Sequence, residues 1–331
     1  MSESLVADLK KSLESGEQKT IVLPEGWDPR ILEAAARLHK EGFIKVVLLG
    51  DEEKVKEVAK EHNYEIEGIE IITPEKDARF DKYVDAFVEL RNGKNTREQA
   101  LELIKNVNYF GTMMVQLGDA DGMVSGAVHT TGETVRPALQ IIKTKPGVTR
   151  TSGAMILMGH EGERYLFADV AINTSVDANQ LGEIAVASID TARVFGIDPV
   201  VALLSFSTKG SAVTPESQKV ADATKIAQEL AKEMNLDVPI DGEMQFDAAI
   251  SKEVAKLKYP GSDVAGRANT FIFPTLESGN IGYKIAQRFG GYKAVGPILQ
   301  GLNKPVNDLS RGCVAEDVYL TSIVTAAQAD L

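Results

Sequence analysis

Residues 20–51 read TIVLPEGWDPRILEAAARLHKEGFIKVVLLGD and predict a strand, a helix and a second strand. The runs at 20–26 and 45–51 are short, apolar and rich in β-branched residues, as expected of buried strands. Pro29 suits the first turn of the intervening helix, where its missing N–H would have no partner in any case. Two strands joined by a helix predict a parallel pair, because parallel strands need a long crossover connection.

The same order continues through most of the chain. Further strands are expected at 70–73, 121–128, 199–207, 270–276 and 292–301, with helices between them and a closing helix from about Gly312. Thr96 and Gln99 have the spacing of a helix capping box. A repeating strand–helix order predicts an α/β fold, a doubly wound and largely parallel sheet with helices on both faces.

The pattern changes near residue 150, where we expect a second domain to begin. Residues 151–172 contain two apolar runs separated by a charged turn with glycine, which predicts a hairpin. The length of 331 residues also favours two domains over one.

The formal net charge of −12 makes nonspecific binding to nucleic acid improbable on electrostatic grounds. Any anionic ligand would have to bind in a local pocket of cations, so the arginines are the residues of interest. The single cysteine, Cys313, fits a reducing compartment. No apolar run approaches the roughly 20 residues needed to span a bilayer, and the N-terminus lacks the pattern of a signal peptide. We therefore expect a cytoplasmic protein without a membrane partner.

Several common site motifs are absent from the sequence. The four histidines are scattered and there is no CxxC pair, which argues against a zinc site. GxGxxG and GxxxxGK[ST] are missing, which lowers the expectation of a dinucleotide or P-loop site. GxSxG is missing too, against an α/β-hydrolase. We expect no metal site and no permanently bound cofactor.

The stretch PVNDLSRGCVAEDVYL, residues 305–320, is the most informative for chemistry. It predicts a loop followed by a helix, with Ser310 and Arg311 at or just before the first turn. Free N–H groups at a helix start, a hydroxyl and a guanidinium together favour an anion. Asp317 follows Ser310 by seven residues and is expected on the same helix face. A donor cluster beside a carboxylate suits acyl transfer, whereas the structural alternative makes Ser310 an N-cap and Asp317 a solvated acid.

Two further stretches carry weaker signals. In FPTLESGNIGYKIAQRF (273–289) a loop with Ser278, Gly279 and Asn280 is expected between a strand and a helix, and Arg288 could reach a phosphate. In SGAVHTTGETVRPAL (125–139) a helix carrying Arg136 follows three hydroxyl residues, which are Ser125, Thr130 and Thr131. Ordinary strand–helix loops remain the alternative for both.

Taken together, these stretches resemble the phosphate acetyltransferase (phosphotransacetylase) family over essentially the whole chain. The resemblance rests on seven segments: LPEG (23–26), SGAVHTTGETVRPALQIIKT (125–144), FADVAIN (167–173), LLSFSTKGSA (203–212), DGEMQFDAA (241–249), FPTLESGNIGYK (273–284) and GPILQGLNKPVNDLSRGC (296–313). It implies the reaction acetyl-CoA + phosphate ⇌ CoA + acetyl phosphate in a ternary complex, with coenzyme A as a substrate.

The resemblance also implies roles for individual residues. Asp317 matches the aspartate proposed to take the proton from the CoA thiol. Ser310 and Arg311 match the groups that position the acyl phosphate and stabilise the tetrahedral intermediate. Three arginines match residues assigned to CoA or phosphate binding, which are Arg91, Arg136 and Arg288. The family has an isocitrate/isopropylmalate dehydrogenase-like fold, two α/β domains flanking a cleft, and is usually homodimeric. We therefore expect a first domain of 1–146 plus 304–331 and a second of 147–303.

Alternatives remain at this stage. A free thiol has a pKa of about 8.5 and an aspartate one of about 3.9, so Asp317 is a poor base unless its surroundings shift either value. Ser310 as a covalent nucleophile is the rival mechanism, but no histidine is close to it in sequence. A phosphate butyryltransferase shares the chemistry, although SRGC and GNIGYK favour acetyl. A dehydrogenase of related fold would need paired metal-binding aspartates, which cannot be identified in this sequence. A non-catalytic sensor of CoA or acetyl phosphate would not need Asp317.

Overall fold

Two separate sheets organise residues 2–330, the part of the chain that the computed structural model describes. The first part of the chain forms α1 (Ser2–Ser15), β1 (Lys19–Leu23), α2 (Pro29–Glu41), β2 (Ile44–Leu49), α3 (Glu52–His62), β3 (Glu70–Ile72), a 3₁₀ turn (Pro74–Lys76), α4 (Phe80–Arg91), α5 (Arg97–Ile104), α6 (Val107–Leu117), β4 (Gly122–Ser125) and α7 (Thr131–Ile141). There follow β5 (Ser152–Met158), β6 (Arg164–Ala168), α8 (Ala178–Val194), β7 (Val201–Leu204), α9 (Pro215–Glu233), β8 (Ile240–Met244), α10 (Phe246–Ile250), α11 (Lys252–Lys258), β9 (Thr270–Ile272), α12 (Leu276–Arg288) and β10 (Lys293–Gln300). The chain ends with β11 (Val306–Asp308) and α13 (Ala315–Gln328).

The chain divides into two compact units. One consists of Val6–Lys145 together with the chain from Leu302 onward, and the other of Pro146–Gly301 together with the described residues up to Leu5. Each unit contains one of the two sheets.

The sheet of the first unit has the order β11-β4-β1-β2-β3, and every neighbouring pair is parallel. Its central strand β1 is fully buried at Ile21, Val22 and Leu23. Asp28 accepts the backbone N–H of Arg30 and caps α2, and Gly42 ends that helix in the left-handed conformation that glycine adopts without steric cost. The strand–helix–strand unit predicted from residues 20–51 is therefore confirmed.

The sheet of the second unit has the order β10-β5-β6-β9-β7-β8. β6, β9, β7 and β8 are parallel, whereas β5 pairs antiparallel with both β6 and β10. The antiparallel β5–β6 pair is the hairpin predicted for residues 151–172. An α/β fold built on parallel strands, as predicted, thus describes both units.

Three sequence-based boundaries were wrong. Residues 306–308 were expected in a loop, but they form β11, because the Val306 and Asn307 side chains are buried and the segment pairs with β4. The last helix begins at Ala315 rather than near Gly312. Helix α12 begins at Leu276, earlier than expected, because Thr275 accepts the backbone N–H of Ser278 and caps it. None of the helices among residues 2–330 is long and apolar enough to cross a membrane.

Candidate active site

The parallel sheet of the first unit has a topological switch point between β1 and β4. From β1 the chain proceeds outward on one side to β2 and β3, and it then returns to the other side of β1 to form β4. The loops that follow β1 and β4 therefore run in opposite directions. In open α/β sheets, ligands bind in the crevice that such diverging loops leave at the carboxyl ends of the strands.

Glu25, in the loop after β1, organises the loop after β4. Its buried carboxylate accepts four backbone N–H groups at 2.8–3.1 Å, those of Gly126, Ala127, Val128 and His129. It also bonds the His129 ring nitrogen Nδ1 at 2.7 Å. Burial opposes ionisation of Glu25, but the hydrogen bonds from the His129 ring and the backbone outweigh it and lower its pKa. A buried carboxylate thus fixes the shape of this loop.

Arg30, at the start of α2, connects the same loop to the segment after β11. Its guanidinium forms a two-point ion pair with Asp28, with both N–O distances 2.9 Å. It also donates to the carbonyl oxygens of Ala127 at 2.8 Å, Arg311 at 2.8 Å and Cys313 at 3.1 Å. Arg30 and Asp28 were not recognised from the sequence. The signal for them was DPR (28–30), an acid and an arginine flanking a helix-starting proline directly after a buried strand.

Ser310 begins a turn that follows β11. The backbone N–H of Cys313 bonds the Ser310 carbonyl oxygen at 2.9 Å, and the Ser310 hydroxyl oxygen accepts the Gly312 N–H at 3.2 Å. The N–H of Leu309 bonds the carbonyl oxygen of Ser125 at 2.7 Å and joins this turn to the end of β4. Both Ser310 and Arg311 are exposed. The turn is held by these hydrogen bonds and exposes a hydroxyl and a guanidinium.

Asp317 occupies the third position of α13 and reaches back to the start of the helix. Its Oδ2 accepts the backbone N–H of Val314 at 2.9 Å, and the side chain is exposed. The expectation that Ser310 and Asp317 share a helix face was wrong, because the turn from Ser310 to Cys313 precedes the helix. The turn and the helix start, rather than one helix face, hold the two residues within one short segment.

Asp308, the last residue of β11, is a buried carboxyl that the sequence analysis did not single out. Its Oδ2 accepts the Thr131 hydroxyl at 2.7 Å, whereas its Oδ1 has no hydrogen-bond partner among residues 2–330. Burial raises the pKa of Asp308 to about 6, and the nearby carboxylate of Glu25 adds to the rise. Gly126, with φ of +111°, packs directly on this carboxyl, where a Cβ atom would collide with Oδ1.

Arg91 and Arg136 both act electrostatically on one tyrosine, Tyr109. Burial raises the pKa of Tyr109, and the positive charges of Arg136 and Arg91 oppose that rise. Arg91 ends α4 and donates from Nε to Asn95 at 2.9 Å, and Arg136 lies on the exposed side of α7. In the described part of the chain neither forms an ion pair with a carboxylate. Both arginines therefore act electrostatically on Tyr109, and Arg136 also interacts with the carboxylate of Glu133.

The predicted residues of the loop after β4 have mainly structural contacts. Ser125 is fully buried and donates its hydroxyl to Asn108 at 2.7 Å. Thr130 is the N-cap of α7, and its side chain forms a capping box with Glu133. These contacts set the position at which α7 begins, and direct contact of either residue with a ligand stays a prediction.

Gly279, Asn280 and Arg288 belong to the second unit. The first two are in the opening turns of α12, not in a loop as expected. Gly279 packs against the backbone of Asp169 so closely that a Cβ atom would overlap its carbonyl oxygen, and Asn280 donates to the carbonyl oxygen of Val170 at 3.1 Å. Arg288 ends the helix and is exposed. Among residues 2–330 no group of three or more His, Cys, Asp or Glu side chains is placed to hold a metal ion.

Fold and site together define the class, an α/β protein with a candidate anion-binding site at the switch point of a parallel sheet. Residues 4–326 match the family model described as Phosphate acetyl/butaryl transferase. The chain belongs to this family and is an acyltransferase.

Individual relatives agree with the family assignment. The chain is 58% identical over 328 residues to a phosphate acetyltransferase of Staphylococcus epidermidis, a match that covers 98% of this chain and 99% of the relative. A phosphotransacetylase structure from Streptococcus pyogenes superposes with a TM-score of 0.94 at 54% identity, over 100% of this chain and 99% of that one. A putative 4-hydroxythreonine-4-phosphate dehydrogenase from Salmonella typhimurium shares the fold, with a TM-score of 0.54 at 14% identity, covering 95% of this chain and 100% of that one. The expected family and its dehydrogenase-like fold are confirmed.

Proposed function

We propose that the chain transfers an acetyl group reversibly between coenzyme A and phosphate, by direct attack of the CoA thiolate on acetyl phosphate in a ternary complex. The reaction is that of the phosphate acetyltransferases, to which the chain is similar over nearly its full length. The mechanism and the roles of residues are the proposal. The observation that carries it is the segment after β11, in which a rigid turn and a helix start present Ser310, Arg311 and Asp317.

Ser310 and Arg311 would hold the acyl phosphate. Arg311 is exposed and has no ion pair in the described part of the chain, so its charge is available to an anion. A guanidinium and a hydroxyl can bond the phosphoryl oxygens and the oxyanion that forms when the thiolate attacks the carbonyl carbon. Arg30 fixes the Arg311 backbone through its carbonyl oxygen, so little ordering remains to be done when the substrate binds.

Asp317 would take the proton from the thiol. A carboxylate is a weak base toward a thiol, so the thiolate needs stabilisation as well. The N-terminus of α13 supplies it, because the first N–H groups of a helix and its dipole favour a negative charge. Asp317 bonds only one of these N–H groups, that of Val314, and its second oxygen remains available for the thiol proton.

Further residues would bind the rest of coenzyme A and the phosphate. Arg91 and Arg136, whose charges both act on Tyr109, would bind the phosphates of CoA. Arg288, Asn280, Gly279, Thr130 and Ser125 remain proposed contacts of the substrates. A cytoplasmic homodimer that binds no nucleic acid is likewise proposed.

The first experiment follows thioester formation by absorbance, using purified protein, CoA and acetyl phosphate with EDTA present. Propionyl and butyryl phosphate serve as matched substrates. Rapid turnover with acetyl phosphate that is unaffected by EDTA is the expected result. A preference for butyryl phosphate would assign the chain to the sister activity. A folded protein that binds CoA but turns over none of the three would be a sensor, and the proposal would be wrong.

Two measurements separate thiolate attack from a covalent acetyl-serine. The Ser310→Ala variant should retain substantial turnover if the hydroxyl only positions the substrate. Mass spectrometry of enzyme mixed with acetyl phosphate in the absence of CoA should show no added acetyl group. A trapped acetyl-Ser310 would overturn the direct mechanism.

A further inference from the structure

The proposed reaction leaves one proton transfer without a residue. When the thiolate attacks acetyl phosphate, the bond between the carbonyl carbon and the phosphate oxygen breaks, and the departing phosphate must gain a proton. Asp317 is the proposed base for the thiol and keeps the proton that it removes. A second group near the phosphate, able to exchange a proton near neutral pH, would lower the barrier for this departure.

The carboxylates around the switch point are poor candidates for this second group. Glu25 is buried and already accepts four backbone N–H groups. Asp28 is ion-paired with Arg30 through both of its oxygens. Asp308 has a raised pKa and, among residues 2–330, an unpartnered Oδ1, but it is buried and Gly126 of the loop packs directly on that oxygen. The remaining titratable side chain of this loop is His129.

We propose that His129, held by Glu25, protonates the departing phosphate and takes that proton back when phosphate attacks acetyl-CoA. This inference rests on the proposed function and extends it. The pair joins a carboxylate from the loop after β1 to an imidazole from the loop after β4, the two loops that flank the switch point.

The geometry fixes which ring nitrogen is available. Ionised Glu25 can only accept hydrogen bonds, so Nδ1 of His129, 2.7 Å from its Oε1, must carry a proton. The exchangeable proton is therefore the one on Nε2, as in other carboxylate–histidine pairs. Nε2 forms no hydrogen bond with residues 2–330, and the His129 side chain is 16% exposed. Trp27 packs against the ring in a T-shaped arrangement, with centroids 6.2 Å apart.

Two carboxylates interact with His129. Glu25 faces it from the loop after β1, and Glu133 interacts with it from the first turn of α7. Arg30 is the cation on this side, but its charge is balanced by Asp28. The ring also directly precedes the N-terminus of α7, a place where phosphate groups commonly bind in proteins. An imidazolium beside a helix start can both attract the phosphate and supply its proton.

The step balances in protons and electrons. The thiolate electron pair forms the carbon–sulfur bond, and the electrons of the breaking carbon–oxygen bond go to the phosphate oxygen. That oxygen accepts the proton of Nε2, so phosphate leaves as a dianion and His129 becomes neutral. Asp317 then releases the thiol proton to solvent, and His129 takes one up. Phosphorolysis of acetyl-CoA runs through the same groups in reverse.

The test compares wild type, His129→Asn, His129→Ala and the control His62→Asn. Asparagine keeps a short donor for Glu25 but has nothing at the position of Nε2. His62 is an exposed histidine at the end of α3, and its ring bonds only a carbonyl oxygen of its own helix, so it is a matched control. Steady-state turnover in both directions between pH 5.5 and 9, CoA affinity by calorimetry and thermal unfolding are measured for each protein.

In wild type, kcat for thioester formation should fall toward alkaline pH as Nε2 loses its proton, and kcat for phosphorolysis should fall toward acid pH. In His129→Asn, kcat should fall by about 10²-fold and should lose this pH dependence. The dissociation constant of CoA should stay within about twofold of the wild-type value. Added imidazole should raise kcat of His129→Ala by about tenfold or more. His62→Asn should match wild type throughout.

Other outcomes overturn the inference. If His129→Asn keeps both kcat and the wild-type pH profile, His129 moves no proton. If both His129 variants lose activity but keep the profile, and imidazole restores nothing, the ring only shapes the loop and the acid role is wrong. If wild type itself does not turn over acetyl phosphate, the proposed function is wrong. That outcome is distinguishable from a failure of the acid role of His129, in which wild type remains active.

Discussion

The guanidinium of Arg30 donates a hydrogen bond of 2.8 Å to the backbone carbonyl of Arg311, a residue 281 positions further along the chain. The same guanidinium bonds the carbonyl oxygen of Ala127, at the end of the neighbouring strand. One side chain from α2 therefore sets the spacing of two loops that follow β4 and β11. Because Asp28 balances the charge of Arg30, this arginine acts on the backbone of the site, and the exposed Arg311 is the cation that we propose for the anionic substrate.

Replacing Arg30 should impair both stability and catalysis, and the two effects can be separated. In Arg30→Gln the buried carboxylate of Asp28 loses its partner, so we expect a loss of about 1–3 kcal/mol in the free energy of unfolding. Adding Asp28→Asn removes the uncompensated charge and should restore part of that stability. Turnover should remain low in the double variant, because the Arg311 carbonyl is still unsupported. Full recovery of kcat in the double variant would show that Arg30 serves only Asp28. Denaturant unfolding and steady-state kinetics supply the two measurements.

Asp317→Asn should reduce kcat for thioester formation by about 10²–10³-fold with little change in KM for acetyl phosphate. Asparagine can still accept the Val314 N–H, so the start of α13 should persist and thermal unfolding should change little. Glu316→Gln is the control, since Glu316 is the sequence neighbour of Asp317, is exposed, and pairs with Arg37 on the surface. An increase in KM alone would assign Asp317 to binding and leave the base unidentified.

Asp308 should make the stability of the protein fall as pH rises through the region of pH 6. Its pKa is raised to about 6 in the folded chain, against about 3.9 for an unperturbed aspartate, so folding favours its protonated form. The stabilisation from this protonation is complete below about pH 4 and is lost as pH rises through 6, a total of roughly 3 kcal/mol. Asp308→Asn cannot ionise. As pH rises from 4 to 8, the variant should therefore gain stability relative to wild type, and the difference between their free energies of unfolding should change by a similar amount. Parallel pH profiles for the two proteins would show that Asp308 is ionised throughout.

The sequence predicted the strand–helix–strand order well where periodicity and caps agree. The β1–α2–β2 unit and the capping box at Thr96 and Gln99 are examples, because both rest on local interactions. β11 was missed for the opposite reason. Its composition of valine, asparagine and aspartate after a proline indicates a loop, and only pairing with β4, from far along the chain, makes it a strand.

The candidate site shows the same division. A hydroxyl, a guanidinium and a carboxylate in one segment could be recognised from the sequence, since all three lie between residues 310 and 317. Arg30, Asp28, Glu25 and His129 could not be assigned in this way. Their contacts join the ends of β1, β4 and β11, which are neighbours only in the folded sheet. These residues could not be predicted because their partners are far away in the sequence, although their side chains are chemically suited to a site.

Arg91 and Arg136 should bind phosphates of coenzyme A, and two CoA analogues can distinguish their roles. Each Arg→Gln variant should raise KM for CoA by about tenfold and leave kcat nearly unchanged, because a charge-assisted hydrogen bond contributes about 1.5–3 kcal/mol. Dephospho-CoA lacks the 3′-phosphate, so the variant that has lost the contact to that group should bind CoA and dephospho-CoA equally. The other variant should still prefer CoA. Arg97→Gln is the control, since that arginine already pairs with Asp81 and Asp85. If KM for CoA is unchanged in both variants, the two arginines serve another purpose than CoA binding.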